Sequence, residues 1–255
     1  MNKNIPSPKK SAKGKYSSPA VDKAVDVIEF LASKRESVSI TTISEAVGRS
    51  VGEIYRVILA LERRRWVYKD PSTDRFLLSL RIFELAHKFP PIERLINLSQ
   101  SELDLLADKT LQSCHLAVAE GMKIAIIAGK ESPLPMHYSV KVGSMFDIFE
   151  TSSGAVIMAN LSVSQQQRYL DKCPSNRRAE LTERLNKIVD LGYEQLESIT
   201  VKGMVNISVP IRSIDGKIIA AFTVPYLNQS SASASPDSVL ELLLASSRRL
   251  STRLG

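Results

Sequence analysis

The sequence predicts an α+β protein of two domains, a basic and mostly helical N-terminal part and a C-terminal α/β part. Apolar residues between positions 20 and 61 recur at the three- and four-residue spacing of amphipathic helices. Beyond position 112, short strand-like runs are interspersed with helical ones. The charge is also uneven. Residues 1–90 contain 17 Lys and Arg against 10 Asp and Glu, whereas the rest of the chain contains 17 of each.

Length and composition indicate an ordinary globular protein. A chain of 255 residues can bury a core without disulfides or metals. The only cysteines, Cys114 and Cys173, have no CxxC spacing, so we expect neither a disulfide framework nor a zinc site. No apolar run reaches membrane-spanning length and the N-terminus lacks the apolar core of a signal peptide, so we expect a cytoplasmic protein that does not enter membranes. The positive first third makes nucleic acid the first candidate partner, and a tail that serves solubility alone is the alternative.

The N-terminal part begins with a predicted tail and two helices. Residues 1–18 are rich in Lys, Ser and Pro, which predicts a disordered basic tail. Helical periodicity follows and ends near Lys34. A second, short helix can be capped by Thr41 or Thr42, with Glu45 in its first turn, and it stops at Gly48.

A third helix and a hairpin complete this part. Ser50 and Glu53 form the capping-box pattern, and an apolar stripe follows at Ile54, Val57, Ile58 and Leu61. After Arg65 the period changes to two, which predicts short strands at residues 66–69 and 75–78 around a DPSTD turn, with Trp66 anchoring the first strand. Helix, short helix, turn, helix and hairpin is the order of a winged helix-turn-helix.

The C-terminal part is predicted to hold a mostly antiparallel sheet, because hairpin-type connections dominate. Two helices precede it, one ending at Pro90-Pro91 and one running from about residue 92 to 112. The predicted strands cover residues 115–119, 123–128, 136–140, 206–211 and 218–224. The predicted helices cover residues 152–161, 165–170, 178–191 and 236–254, and a polar loop is expected at residues 228–238.

The ordered motifs resemble the isocitrate lyase regulator (IclR) family of bacterial transcription factors over about residues 19–255. The family's first helix resembles AVDKAVDVIEFLA, and its helix-turn-helix and wing resemble ISEAVGRSVGEIYRVILALERRRWVYKDPSTDRFLLS. Its effector-domain motifs resemble VGSMFDIFETSSGAVIMA, LGYEQ, KGMVNISVPI and DGKIIAAFTV, in that order. The resemblance implies a winged helix-turn-helix at residues 19–80, a dimerising linker at 81–95 and an effector-binding domain at 96–255 with a GAF/profilin-like sheet. It also implies a homodimer or homotetramer.

In a helix-turn-helix the third helix enters the major groove with its N-terminal end against the bases. Arg56 is the best candidate there, because its planar fork pairs bidentately with guanine or phosphate. From the helix pattern alone, a solvated or salt-bridged arginine is the alternative. Tyr55 can contact phosphate or sugar, and Val51 can contact a thymine methyl. The predicted DNA-binding residues are Thr41, Thr42, Ser50, Val51, Gly52, Glu53, Tyr55, Arg56, Arg63, Lys69 and Arg75.

The sequence departs from the family at the start of this helix. Lys-Ser-Thr is usual where Val51-Gly52-Glu53 stands, so the operator is not inferable from relatives. Glu53 would repel phosphate unless it caps the helix or accepts from a cytosine amino group. Lys69 and Arg75 of the wing suit phosphate or minor-groove contact, with simple solubility as the alternative. A flexible arm along DNA is expected from Lys3, Lys9, Lys10, Lys13 and Lys15.

Nothing in the C-terminal part predicts catalysis, a cofactor or a metal. The three histidines lack metal-ligand spacing, and TSSGA is not a GxSxG nucleophile elbow. ETSSGAVIMA instead places hydroxyls and amides at a helix N-terminus, which suits a carboxylate or polar ligand head. Simple capping by Thr151 or Ser152 is the alternative. The resemblance implies effector contacts from Ser152, Ser153, Gly154, Ala155, Ser198, Asn206, Ser208 and Thr223.

The predicted pocket also departs from the family. An acidic pair is common where Ser198 and Ile199 stand, a cysteine where Asn206 stands, and serines where Thr223 and Pro225 stand. We therefore expect an effector other than the small keto-acids of some relatives, with aromatic and sugar acids both open. An apolar wall, or plain core, is expected from Met136, Tyr138, Phe146 and Phe149.

These observations predict a transcriptional regulator that binds double-stranded operator DNA as a homodimer or homotetramer. A small organic effector, such as a carboxylic acid, is expected to control it, and the target is expected to be a catabolic operon. The alternatives are a DNA-binding regulator whose effector domain no longer senses a ligand, and an enzyme that uses the sheet domain. Repression and activation are both open.

Overall fold

A computed structural model describes residues 18–198, 201–228 and 234–254. These residues divide into two compact units, with the division between Phe89 and Pro90. The predicted linker at residues 81–95 spans this division. Three predicted features lie wholly or partly outside the described residues: the basic tail at 1–18, Ile199, and the polar loop at 228–238.

The first unit has the predicted order of a winged helix-turn-helix. Its elements are α1 (Pro19–Ala32), α2 (Ile40–Val47), α3 (Val51–Arg63), β1 (Val67–Lys69), β2 (Phe76–Leu78) and α4 (Arg81–His87). The two strands pair antiparallel. Ile54, Ile58 and Leu61 are buried in the core of this unit, and Val57 packs against that core while only half-buried. The predicted apolar stripe therefore holds α3 to its unit.

The ends of these helices confirm some local predictions and correct others. The Ser50–Glu53 capping box is present, and Gly48 ends α2 in the left-handed conformation. The predicted capping of α2 by Thr41 or Thr42 is wrong, because the helix already begins at Ile40 and Ser39 accepts the amide of Thr42. Both threonines therefore lie in the first turn, and Glu45 lies beyond it.

Two further predictions in the first unit need adjustment. Trp66 precedes β1, so it lies outside the strand it was predicted to anchor, although it packs half-buried against the core. The break at the proline pair is confirmed, since α4 ends at His87. The next helix, α5 (Pro90–Thr110), begins at the first proline of the pair, which fits because the first turn of a helix needs no proline N–H.

The second unit is built on a six-stranded sheet of order β5-β4-β3-β8-β7-β6, in which every pair is antiparallel. The strands are β3 (Cys114–Glu120), β4 (Lys123–Lys130), β5 (Met145–Asp147), β6 (Glu194–Glu197), β7 (Met204–Arg212) and β8 (Ile218–Leu227). The helices that follow α5 are α6 (Ser152–Ala159), α7 (Val163–Lys172), α8 (Ser175–Leu191) and α9 (Pro236–Leu254), and a 3-10 turn at Ile148–Glu150 precedes α6. The prediction of a mostly antiparallel sheet is confirmed.

The two faces of this sheet differ in chemistry. On one face, Ile207, Val209, Phe222 and Val224 belong to the apolar core that includes α5 and α9. Alternate residues of a strand point to opposite faces, so β7 and β8 present different residues to the α6 side. Those residues include Asn206, Ser208 and Thr223 beside the buried Ala221, which packs in the core formed with α6 and α8. The sheet therefore holds a polar strip under α6.

One predicted strand is wrong and two strands were not predicted. Residues 136–140 form no strand; Pro133 and Pro135 precede them, and a proline has no N–H to offer a sheet ladder. Met136 is 82% exposed, and Tyr138 is half-buried. The short edge strands β5 and β6 were not predicted, because three or four residues carry little periodicity and their pairing partners lie elsewhere in the chain.

Candidate functional site

The N-terminal end of α3 presents one face to solvent. Val51 is 43% and Tyr55 is 50% exposed, and Ser50, Gly52 and Arg56 are exposed beside them. The buried stripe of α3 lies on the other side of the helix, so this face is not used to hold the unit together. An exposed helix end with an arginine fork has the shape and chemistry that a major-groove contact needs.

Glu53 is compensated within the protein. Its Oε1 lies 2.6 Å from Lys23 Nζ, and its Oε2 accepts from the Ser50 amide at 3.3 Å and from the Ser50 hydroxyl at 3.1 Å. The hydrogen bond from Lys23, followed by those from Ser50, lowers the pKa of Glu53 to about 2. The carboxylate therefore caps α3 and carries its own counter-ion, Lys23, whose role sequence analysis missed.

The remaining cations of the first unit differ in whether they are paired. Arg56, Arg63 and Arg75 are exposed, and none forms a salt bridge within the described part of the chain. Lys69 lies 2.6 Å from Asp74 at the tip of the wing, and that hydrogen bond raises the pKa of Lys69. Arg75 is therefore the cation of the wing that can contact a phosphate without first breaking a salt bridge. On α2, Thr41 and Thr42 are both exposed.

Three of the predicted effector residues form one chain of hydroxyls. Thr223 Oγ1 lies 2.9 Å from Ser153 Oγ and 2.7 Å from Ser208 Oγ. All three side chains are buried. This hydroxyl chain, Ser153–Thr223–Ser208, joins α6 to two central strands at a place where apolar packing would be the usual arrangement.

The start of α6 is tightly built. Thr151 Oγ1 accepts the amide of Gly154 at 3.0 Å, so Thr151 caps the helix. Ser152 is buried, and its hydroxyl has no hydrogen-bond partner among the described residues. A Cβ at Gly154 would lie only 2.1 Å from the Ile148 carbonyl oxygen, so glycine alone fits there. Ala155 is fully buried behind it.

The other two predicted effector residues, Asn206 and Ser198, form no hydrogen bond to the hydroxyl chain among the bonds found in the described residues. Asn206 is half-buried on the same face of β7 as Ser208. Ser198 follows β6, and its hydroxyl accepts the amide of Val201 at 3.2 Å. Of the proposed apolar wall, Phe149 is core and Phe146 is 39% exposed.

Sequence analysis missed a polar row that crosses the sheet. His115 is paired with Thr223, Thr223 with Ser208, and Ser208 with Glu194, on four neighbouring strands. Burial lowers the pKa of His115 to about 4, so its ring is neutral at neutral pH. Only the strand register brings these residues together, and one sequence does not reveal that register. The one available signal was His115 alternating with Ala117 in a predicted strand.

A buried ion pair closes one end of this row. Arg184 Nε and Nη2 lie 2.5 and 2.7 Å from the two carboxylate oxygens of Glu194. The same Nη2 donates to the Thr151 carbonyl at 3.3 Å. Arg184 therefore ties α8 and β6 to the cap of α6, and its charge is compensated.

Two clefts of this unit do not include the residues of the hydroxyl chain. One, of about 250 Å³, lies between Gly121 and α7 and includes Arg168 and Lys172. The other, of about 310 Å³, follows α8 and β6 and reaches Arg184 and Glu194 from outside. Both clefts are open to solvent, whereas the hydroxyl chain is buried. Within residues 18–198, 201–228 and 234–254, no cluster of metal-ligating side chains occurs, and no helix is long and apolar enough to span a membrane.

Comparisons with known families agree with this geometry. The model described as "IclR helix-turn-helix domain" matches residues 20–71. The model described as "Bacterial transcriptional regulator IclR C-terminal" matches residues 93–252. The chain belongs to the IclR family of bacterial transcriptional regulators. The resemblance on which the predicted fold and family rested is therefore confirmed.

Among characterised relatives of this IclR-family chain, the regulator KdgR of Escherichia coli is 22% identical over 244 residues, which cover 92% of each chain. The regulator XynR of the same organism is 20% identical, covering 92% of this chain and 97% of its own. The Pca operon regulatory protein of Acinetobacter baylyi is 22% identical, covering 80% and 77%. These relatives are named as regulators and not as enzymes, which confirms the prediction that the protein is not an enzyme.

Solved structures show the same fold at low identity. The IclR of Thermotoga maritima superposes with a TM-score of 0.73 at 19% identity, covering 92% of this chain and 98% of its own. An IclR homologue of Microbacterium hydrocarbonoxydans, solved with 4-hydroxybenzoate, gives a TM-score of 0.77 at 19% identity with the same coverage. At this identity the likeness establishes the fold alone.

Proposed function

We propose that this IclR-family regulator binds double-stranded operator DNA through α3 and the wing, and that a small organic acid bound at the start of α6 controls this binding. The observation that carries the proposal is the buried hydroxyl chain beside the unpartnered Ser152. Buried polar groups are normally satisfied, so a site that leaves one without a partner is suited to a polar ligand.

The DNA-binding half of the proposal rests on exposure and charge. Arg56 stands exposed at the end of α3 that enters the groove in a helix-turn-helix, and Arg75 stands exposed on the wing. The DNA contacts proposed are those predicted from the sequence, with two changes. Glu53 acts as a helix cap and not as a base contact, and Lys69 contributes only if Asp74 releases it.

The ligand-binding half rests on Ser152, Ser153, Ser208 and Thr223, with Asn206 and Ser198 at the margin. The structure of the Microbacterium homologue with 4-hydroxybenzoate supports a carboxylic acid as ligand class. We propose a catabolic operon as the target, and the relative named for the Pca operon supports the control of an operon. We further propose a cytoplasmic homodimer or homotetramer. Leu80 and Phe89 flank α4 and are 82% and 57% exposed, and a second copy would cover them on a palindromic operator.

Thermal unfolding of the full chain against a panel of organic acids tests this function. The operator fragment is the DNA upstream of the protein's own gene, and each acid is tested with and without it. We expect at least one acid to raise the midpoint and to change operator affinity in a gel shift, because a ligand that binds the folded state stabilises it. The double variant Ser153→Ala/Thr223→Val should keep operator affinity and lose the response.

Two outcomes would contradict the proposal. If no acid changes either the midpoint or operator affinity, the protein is a DNA-binding regulator that does not sense this class of ligand. If an acid is consumed during the assay, the second unit acts as an enzyme.

A further inference from the structure

We propose that Arg65, which lies between α3 and the wing, binds a DNA phosphate and is held for that role in a strained backbone conformation. This inference rests on the proposed function, because it adds a contact to the same DNA-binding surface. Arg65 was not among the predicted DNA-binding residues, and it belongs to neither α3 nor β1. The backbone geometry at the end of α3 is what distinguishes it.

The end of α3 has a hydrogen-bond pattern that usually places a glycine at the position of Arg65. The Arg65 amide donates to the Glu62 carbonyl at 2.8 Å, and the Trp66 amide donates to the Leu61 carbonyl at 2.9 Å. These two bonds form a Schellman motif, in which one residue adopts the left-handed conformation and is most often glycine. Arg65 is that residue here, with a φ of +62°. A residue with a β-carbon is strained in this conformation.

Two other helices of the chain end without this strain. Gly48 ends α2 with a φ of +64°, and Gly192 ends α8 with a φ of +81°. Glycine adopts this conformation without a steric cost, because it has no β-carbon. The need to end a helix therefore does not explain why an arginine follows α3.

The other two non-glycine residues with positive φ in the described part of the chain have interactions within the protein. Asp74, with a φ of +55°, lies 2.6 Å from Lys69, and Leu111, with a φ of +56°, is half-buried. Arg65 is exposed, and its side chain forms no hydrogen bond or salt bridge among the described residues. Backbone strain for which the fold offers no compensating contact indicates a functional role.

The backbone on both sides fixes the point from which the Arg65 side chain extends. The Glu62 carbonyl accepts its amide, and its own carbonyl accepts the hydroxyl of Ser79, which follows β2. Leu61 and Trp66, on either side of the turn, pack in the core of the first unit. A guanidinium on a fixed backbone loses less conformational freedom on binding than one on a mobile loop.

The length of α3 favours a phosphate and not a base as the partner of Arg65. The helix has 13 residues, which corresponds to about 20 Å, whereas the major groove is about 12 Å wide. With the N-terminal end of α3 against the bases, its C-terminal end lies over the DNA backbone. The planar fork of an arginine binds two phosphate oxygens, and phosphates carry no sequence information. Arg65 therefore contributes affinity and not sequence preference.

Salt titrations of Arg65→Gly in the full chain test this contact, because glycine suits the helix end and removes the guanidinium. The two DNA fragments are the one upstream of the protein's own gene and one of equal length and unrelated sequence. At about 0.1 M salt we expect both affinities to fall roughly five- to tenfold. The slope of log affinity against log salt should fall by about 0.9, the value for one phosphate. Arg65→Lys should keep the slope, because it keeps the charge.

Thermal unfolding of the same variant separates DNA binding from a structural role. Because glycine relieves the left-handed strain, Arg65→Gly should raise the unfolding midpoint by roughly 2 °C while it weakens DNA binding. A lower midpoint would show that the side chain serves the fold, and the inference would be wrong.

Arg64→Ala is the matched control, because it removes the same charge from the preceding residue, whose φ of −88° is unstrained. Its salt slope should change by less than half as much as that of Arg65→Gly. Equal changes in the two variants would indicate a general charge effect, and an unchanged slope in Arg65→Gly would exclude a phosphate contact. Either result overturns the inference.

The wild-type titrations test the proposed function separately. If the wild type prefers the upstream fragment and Arg65→Gly behaves like the wild type, the proposed function stands and the role of Arg65 fails. If the wild type binds both fragments equally, operator recognition fails, whatever the slope of the variant. A wild type that binds neither fragment contradicts both proposals.

Discussion

At the scale of single residues, the two charged side chains near the start of α3 differ in whether a partner within the protein compensates their charge. Glu53 is satisfied by Lys23 and Ser50, so its charge serves the fold. Arg56 lies one turn further on, exposed and without a salt bridge in the described part of the chain. A cap thus stands where the family's Lys-Ser-Thr offers phosphate-binding groups, so we expect a larger share of the DNA affinity to depend on Arg56.

Replacing Arg56 with Ala should weaken binding to the cognate operator by about 1–3 kcal/mol and relax its sequence preference. The reason is that the variant loses a charge-assisted fork at the groove end of the helix. Arg64→Ala is the matched control, because it removes the same charge from the exposed C-terminal end of α3. Gel-shift titrations that show equal losses for the two variants would indicate a general charge effect and not a contact by Arg56.

Replacing Glu53 with Gln should lower the free energy of unfolding at neutral pH in a pH-dependent way. The folded pKa of about 2 lies below the ordinary value of 4.5, so the stabilisation is complete above pH 4.5 and is lost as the pH falls through 2. The difference between wild type and variant should therefore shrink across that window. Denaturation at several pH values measures it. Glu45→Gln, at an exposed position on α2, should show a much smaller difference, and an equal one would contradict the pairing.

At the scale of elements, the position of α6 depends on a close contact between Gly154 and the backbone of Ile148. Its apolar residues do not form a stripe along one side of the helix. All eight of its residues are buried, so it lacks the exposed polar side that most helices have. Gly154 lets the helix lie against the carbonyl of Ile148, and Arg184 binds the capping Thr151 from the other side. These contacts determine where the donors of its first turn point.

Gly154→Ala should destabilise the protein by about 1–3 kcal/mol, because the added methyl meets a backbone oxygen that cannot move freely. Gly52→Ala, in the exposed first turn of α3, should instead stabilise it by about 0.5–1 kcal/mol, since nothing lies within 4 Å of the added Cβ. Chemical denaturation of the two variants measures both effects. The account of α6 is wrong if the two substitutions change the unfolding free energy with the same sign.

Elements with strong local signals were predicted well. The capping box and apolar stripe of α3 were predicted, as was the last helix, whose bounds Pro236–Leu254 agree with prediction. The cap of α2 was misplaced by two or three residues, because Ser39, Thr41 and Thr42 carry the same hydroxyl chemistry. The edge strands depend on pairing with β4 and β7, and that information is not local.

At the scale of the whole molecule, the two units have separate cores and different charge. The first unit has its own apolar cluster, and the second has one on each face of its sheet. The excess positive charge lies in residues 1–90, the part that contains the helix-turn-helix, and the rest of the chain is balanced. This uneven charge is consistent with the proposed function, in which the first unit binds a polyanion and the second binds a small molecule.

The sequence by itself determined the family and the order of elements in the winged helix-turn-helix, because periodicity, caps and motif order are local properties. Only the tertiary structure decided which side chains meet. Lys23 meets Glu53 across 30 residues of chain, Ser153 meets Thr223 across 70, and His115 joins them through strand register. Such contacts depend on how the sheet is paired and on how α6 lies over it. The proposed ligand site therefore becomes visible only in the folded chain.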